Sequence, residues 1–265
     1  MLTHISNILM QKGVSAPDAG LLHGKMGLVI FLFHYAQYTG DKSFEDHAMD
    51  LLDHLHKQII QQHVFDYADG LAGIGVGVEY LAQNNFIQVD TDAALEDFDK
   101  AIWNAVVFGE RHDVSLFTGL LGLSRYCLYR VTGRHINNEH IGTLNNKMIL
   151  VHLTDIFERS HPFLKESEIE DVLMFLLAMN QATIFPVKTK KLIELFSSSI
   201  SQPNQEDIIG RYRRNIEVFY STKYNELLSK SEPDIAPGLY GGLAGIGLFL
   251  LSRLDKQHET WMKLL

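Results

Sequence analysis

The sequence has 265 residues, of which 46% are hydrophobic, and its formal net charge is −9. This length is enough to bury one large core or two modest ones, and we expect a single domain over residues 1–265. An acidic chain without a long basic tract has no electrostatic reason to bind DNA or RNA. The single cysteine, Cys127, excludes both a disulfide framework and a metal site built from several cysteines.

The N-terminal segment lacks the basic region and long apolar stretch that are typical of a secretory signal. The longest apolar run begins at Met26, and His34, Tyr35 and Gln37 interrupt it before it reaches the length that spans a bilayer. The sequence therefore predicts a cytoplasmic protein without a membrane span.

Four similar segments recur along the chain, and each joins two glycines three residues apart to an apolar stretch of helix length. Glycine inside a helix costs about 1 kcal/mol relative to alanine, so its repetition at one register indicates a shared packing requirement. We interpret each pair as a tight turn, in which glycine permits a positive φ, followed by a buried inner helix that approaches its neighbours closely. The structural glycines are Gly24 and Gly27, Gly70 and Gly73, Gly119 and Gly122, and Gly242 and Gly245.

Amphipathic segments alternate with these inner helices. Residues 44–60 carry apolar side chains at helical spacing, with Ser43 as the expected N-cap, and Thr-Gly pairs at 39–40 and 132–133 are C-cap signals. Residues 168–180 are interpreted as a fifth inner helix without glycines. Strand signals are scarce. The pattern predicts an all-α fold, an (α/α) toroid of about five helical hairpins with inner and outer layers. The other outer helices are expected at residues 93–107, 141–157, 189–198 and 207–228.

These repeats resemble those of lanthionine synthetase C-like (LanC-like) proteins. The matching strings are GLLHGKMG, DYADGLAGIG, SLFTGLLG and GLYGGLAGIG, and residues 135–235 match weakly. The family's enzymes are longer, so the chain resembles a short member. The resemblance implies a relation to enzymes that cyclise dehydrated peptides by adding cysteine thiols to dehydroamino acids.

The enzymes of this family use a zinc ion held by two cysteines and a histidine, from Trp-Cys-Tyr-Gly and Cys-His-Gly motifs. Carried over position by position, the resemblance implies that both cysteines are missing here. Leu22 stands before the His-Gly pair at His23, and Leu239 stands before the Tyr-Gly pair at Tyr240. Cys127 lies in the middle of a helix, where the family has no ligand. We therefore expect no cofactor and no tightly bound zinc.

The residues that precede the inner helices should meet at one mouth of the central cavity in a closed ring. Converging helix N-termini present unpaired N–H groups that suit a peptide carboxylate or carbonyl. The competing interpretation is that His23 and Asp69 only cap helices or the turns before them. The candidate ligand-binding residues are His23, Lys25, Asp69, Thr118 and Tyr240.

Two classes of function stay open. The first is a LanC-like protein without zinc-dependent cyclase activity, which binds a peptide substrate or a maturation enzyme as an accessory in peptide maturation. The second is an active enzyme with an altered site, either a zinc-independent peptide-modifying enzyme or a carbohydrate-acting (α/α)-barrel hydrolase. For a hydrolase, the candidate carboxylates are Asp66, Asp69, Glu79 and Asp113. The sequence identifies no catalytic residue for either class.

Overall fold

A computed structural model of the chain describes residues 1–12, 18–59, 64–109, 113–133, 141–200, 205–229 and 235–265. Within these residues every regular element is a helix and no strand is present, so the predicted all-α fold class is confirmed. None of these helices combines the length and the apolar character needed to cross a membrane. The elements are α1 (Leu2–Lys12), α2 (Lys25–Thr39), α3 (Lys42–Ile59), α4 (Leu71–Gln83), α5 (Thr91–Ala94), α6 (Glu96–Val107), α7 (Leu120–Thr132), α8 (Ile141–Ser160), α9 (Glu166–Gln181), α10 (Pro186–Ser197), α11 (Gln205–Ser229), α12 (Leu243–Leu254), and short 3-10 helices at His161–Phe163 and Lys256–Leu264.

The described residues divide into two compact units. Unit 1 comprises Met1–Val64, Ala68–Gly77 and Arg213–Leu265, and unit 2 comprises Phe65–Tyr67 and Val78–Tyr212. Helix α4 begins in unit 1 and ends in unit 2, and helix α11 begins in unit 2 and ends in unit 1. The single domain expected from the sequence stays a prediction.

Unit 1 has α2 at its centre, packed against α3 and α12. Every residue of α2 from Lys25 to Ala36 is buried, as its uniformly apolar sequence predicts. Helix α3 begins at Lys42, so the expected N-cap at Ser43 is wrong. Asp41 takes that role, because its carboxylate accepts a hydrogen bond of 2.9 Å from the backbone N–H of Ser43. The same hydrogen bond lowers the pKa of the Asp41 carboxyl.

Unit 2 packs α7 against α8 and α9, and α9 against α10. Helix α9 buries a continuous apolar face, as expected of the inner helix that lacks glycines. The helix expected over residues 93–107 is split at Leu95 into α5 and α6, and Asp90 caps α5 by accepting hydrogen bonds from two backbone N–H groups. The Thr-Gly pairs differ, since Gly40 is a left-handed C-cap with φ 70° but Gly133 has φ −70°.

The four glycine turns share one backbone hydrogen bond. In each, the N–H of the first helical residue donates to the carbonyl seven residues earlier. This bond fixes a loop that folds back over the start of its own helix. The repeats in the sequence are therefore copies of one backbone structure. The donor–acceptor pairs are Lys25–Asp18, Leu71–Val64, Leu120–Asp113 and Leu243–Ala236.

At three of these turns the first glycine of the pair is required for space and not for a positive φ. Gly24, Gly119 and Gly242 have φ values of −113°, −103° and −95°, which any residue adopts, so the expected positive φ is wrong for these three glycines. In the fourth turn Gly241, just before the pair, has a positive φ of 65°. A Cβ at Gly242 would lie 2.3 Å from the carbonyl oxygen of Gly238 in the same turn. The folded-back loop leaves no room for a side chain at this position.

We expect Gly242→Ala to lower the free energy of unfolding by about 2–3 kcal/mol, because the new methyl group displaces backbone atoms. Gly40→Ala is the matched control. Nothing lies within 4 Å of a Cβ at Gly40, so alanine there meets only the strain of the left-handed conformation, about 1 kcal/mol. Urea denaturation measures both variants, and equal losses would contradict the steric explanation.

Candidate functional site

The first two glycine turns meet in unit 1 through His23 and Asp69. Nδ1 of His23 lies 2.8 Å from Oδ2 of Asp69, and the backbone N–H of His23 donates to Oδ1 at 3.3 Å. The N–H of Leu22 donates to the carbonyl of Ala68 at 2.8 Å, which holds the turns side by side. The two side chains keep 46% and 40% of their surfaces exposed, so the pair is fixed but accessible.

The fourth turn contacts the first turn through Tyr240. The N–H of Tyr240 donates to the carbonyl of Leu22 at 2.8 Å, and its ring meets that of His23 edge to face, with centroids 6.3 Å apart. Phe219 stacks on Tyr240 at 5.1 Å between centroids and supports its ring. We call His23, Asp69 and Tyr240 the turn cluster. It presents an imidazole, a carboxylate and a phenol from three different turns.

The other two candidate residues have different surroundings. Lys25 is buried at the first position of α2. Thr118 lies in unit 2, where its hydroxyl donates to Oδ2 of Asp113 at 3.0 Å, and Ser115 donates to the same oxygen at 2.7 Å. These are the hydrogen bonds of a local polar turn. Within one unit the structure therefore brings together His23, Asp69 and Tyr240.

The interpretation that His23 and Asp69 only cap helices or turns holds in part. The N-cap of α2 is Gly24, with no side-chain hydrogen bond, so His23 does not cap that helix. Asp69 accepts the backbone N–H of His23, and it therefore stabilises the neighbouring turn. Asp69 holds two turns together while its pair with His23 stays partly exposed.

The positions that replace the family's zinc cysteines do not fit a zinc ion. Leu22 and Leu239 are fully buried apolar side chains. Cys127 is fully buried in α7, and burial raises the pKa of its thiol well above the ordinary value, which disfavours the thiolate that binds metals. Among the described residues, no three His, Cys, Asp or Glu side chains are grouped so that they could hold a metal. The paired His23 and Asp69 fall short of the three or four ligands of zinc sites.

The carboxylates considered for sugar hydrolysis have separate partners. Glu79 is buried in unit 2 and forms an ion pair with Arg130. Asp113 accepts two hydroxyl hydrogen bonds in its own turn, and Asp69 bonds His23 in unit 1. A buried, ion-paired Glu79 cannot serve as a general acid, because it cannot reach a sugar in solvent.

Sequence reasoning did not find a buried polar cluster that surrounds Arg130 of α7 in unit 2. Its Nε and Nη2 donate to Asp99 of α6 at 3.0 and 2.8 Å, and its Nη1 pairs with Glu79 of α4. Tyr126 donates to Asp99 at 2.7 Å, and Asp92 lies 3.4 Å from Nη2. Charged residues inside otherwise apolar helices were the only signal of this cluster in the sequence. We call these five residues the Arg130 cluster.

A second buried pair lies in unit 1. Nδ1 of His34 on α2 lies 2.9 Å from Nδ1 of His258 in the C-terminal 3-10 helix, so one ring donates and the other accepts. Burial, reinforced by His258, lowers the pKa of His34 to about 3. Burial also lowers the pKa of His258, and Asp255 opposes that effect. Both rings are therefore held in the neutral state at neutral pH.

Comparison with known proteins identifies the family. The model of the family described as lanthionine synthetase C-like protein matches residues 15–208, well over half of the chain. No curated protein and no solved structure matches the chain significantly. Three of the four glycine turns lie within the matched range, and the turn at Gly242, outside it, has the same backbone hydrogen bond. The chain belongs to the lanthionine synthetase C-like family.

Proposed function

We propose that this protein is a peptide-binding accessory of peptide maturation without zinc-dependent cyclase activity, and that the turn cluster is its contact surface. The observation that supports this most directly is the exposed pair of His23 and Asp69 beside Tyr240. The neighbouring positions that a zinc cyclase would fill with thiolates hold the buried Leu22 and Leu239. The turn cluster offers an accessible polar surface, while the thiolate ligands that a zinc cyclase needs are absent from these positions.

The chemistry of the turn cluster suits a peptide backbone. When the neutral ring of His23 donates Nδ1–H to Asp69, its Nε2 accepts a hydrogen bond from a peptide N–H. When the ring is protonated, Nε2 donates to a carbonyl or carboxylate. Tyr240, 37% exposed and stacked on Phe219, adds a rigid aromatic surface of the kind that dominates peptide contacts.

We expect His23→Ala and Tyr240→Ala to weaken peptide binding by about tenfold or more, with little change in the melting temperature. The probes are peptides selected on the wild-type protein from a random linear library, and fluorescence anisotropy measures their affinity. His54→Ala is the matched control, since His54 is exposed on α3 of the same unit and bonds only within its own helix, to the carbonyl of Asp50. That variant should bind like the wild type.

Three results would contradict the proposal. The first is a selection that yields no binding peptide. The second is a lowered melting temperature in His23→Ala or Tyr240→Ala with unchanged peptide affinity, which would leave these residues a structural role alone. The third is thioether formation when the protein and zinc are incubated with a dehydrated peptide that carries a cysteine, followed by mass spectrometry.

A further inference from the structure

We propose that Arg125 of α7 is the centre of a second binding site, in unit 2, for an oxyanion such as a carboxylate or phosphate group. The site is separate from the turn cluster in its residues and in its ligand chemistry. The proposal does not depend on the function proposed above.

The guanidinium of Arg125 is incompletely bonded. Its Nη1 is covered from solvent and has no hydrogen-bond partner, while part of the side chain remains at the surface. Its Cζ lies 5.8 Å from the ring centroid of Tyr67, and it also interacts with the hydroxyl of that residue. Among the residues that the structure describes, the side chain that bonds Arg125 is Tyr67, and no carboxylate forms an ion pair with it. A covered charged donor without a partner is costly, and such groups cluster at functional sites.

Arg130 on the same helix is a buried guanidinium whose positive charge is compensated by carboxylates. Its guanidinium donates to the carboxylates of Asp99 and Glu79, and its burial is complete. Arg125 lies in the same unit and has phenols where Arg130 has carboxylates. The difference leaves a net positive charge at Arg125 and leaves its Nη1 directed at no protein acceptor.

The groups around Arg125 supply hydrogen bonds but little countercharge. Tyr67, Tyr129 and Tyr212 influence the guanidinium, and burial raises the pKa values of Tyr67 and Tyr129, so these two phenols are neutral at pH 7. Burial likewise raises the pKa of the Asp171 carboxyl, an effect that Arg125 opposes without forming an ion pair. A guanidinium fork without a paired carboxylate matches the geometry of a carboxylate or phosphate ligand.

The test measures the melting temperature of the full chain with inorganic phosphate or acetate, each compared with sodium chloride at equal ionic strength. At about ten times the dissociation constant, the binding anion should raise the wild-type melting temperature by about 2–5 °C relative to chloride. Arg125→Met should abolish this rise. Arg253→Met is the matched control, because Arg253 also lies over an aromatic ring, 5.0 Å from the centroid of Phe249, but is exposed.

Two further measurements keep the test decisive if Arg125→Met does not fold. Tyr129→Phe removes one phenol and should reduce the anion-dependent rise, and calorimetric titration of phosphate and of acetate into the wild-type protein measures binding directly. A response to phosphate alone assigns a phosphorylated ligand, and a response to acetate alone assigns a carboxylate. The proposal is overturned if neither anion differs from chloride in melts and calorimetry, or if Arg125→Met responds like the wild type.

Discussion

Replacing Arg130 with methionine should lower the free energy of unfolding by about 3–5 kcal/mol, the cost of removing one partner from a buried ion cluster. The guanidinium is fully buried, and its loss leaves the carboxylates of Glu79 and Asp99 in a low-dielectric interior without their cation. Burial lowers the pKa of the Arg130 guanidinium, but the hydrogen bond and the charge of Asp99 act in the opposite direction and the net shift is upward. Urea denaturation followed by circular dichroism measures the loss.

The matched control is Lys100→Ala on α6. Lys100 pairs with Glu96 at 2.9 Å and with Asp97 at 3.3 Å, but all three side chains are exposed, so the midpoint should not change measurably. Adding Glu79→Gln and Asp99→Asn to Arg130→Met should recover part of the lost stability, because the stranded negative charges are removed. If Arg130→Met lowered the free energy of unfolding no more than Lys100→Ala does, the Arg130 cluster would not be a buried ionic network.

Stability should also fall as the pH drops below 6.5, because His34 resists protonation in the folded chain. Its pKa is about 3 in the folded state against an ordinary value of 6.5, so below pH 6.5 the unfolded chain binds a proton that the folded chain does not. The stability that the neutral His34 contributes is fully present above pH 6.5. Below that pH the free energy of unfolding falls by up to about 1.4 kcal/mol per pH unit, and the total loss reaches about 2 kcal/mol at pH 5.

The slope of unfolding free energy between pH 6.5 and pH 5 tests this expectation. His34→Gln should reduce that slope by up to about 1.4 kcal/mol per pH unit, the equivalent of one bound proton. His54→Gln, at an exposed position on α3, should leave the slope unchanged. Identical slopes in His34→Gln and in the wild type would show that the His34–His258 pair is not the source of the acid sensitivity.

The parts of the fold that were predictable from the sequence are those with local causes. The inner helix α2 carries its burial in its own apolar residues, and each glycine pair marks a turn whose defining hydrogen bond spans only seven residues. Capping details were less predictable, because Asp41 and Ser43 are both good N-cap residues and only the backbone path decides between them. The helix over Leu2–Lys12 was not assigned at all.

The candidate site divides in the same way. A shared register before the inner helices was enough to group His23, Asp69 and Tyr240, which the structure brings together. The pairing of Arg130 with Glu79 joins residues 51 positions apart, and no periodicity specifies such a contact. The reason for the first glycine of each pair was also out of reach, because a positive φ and a missing Cβ make the same demand on a sequence.

Unit 1 is assembled from segments that lie on both sides of unit 2 along the chain. During synthesis the ribosome delivers α2 well before α12, the helix that packs against it, and before Tyr240, which bonds the carbonyl of Leu22. At about 5–20 residues per second, the nascent chain carries the apolar α2 without α12 for roughly ten to forty seconds. Apolar surface that stays uncovered for that long during synthesis is prone to aggregation, so α12 is the segment whose arrival ends this risk for α2.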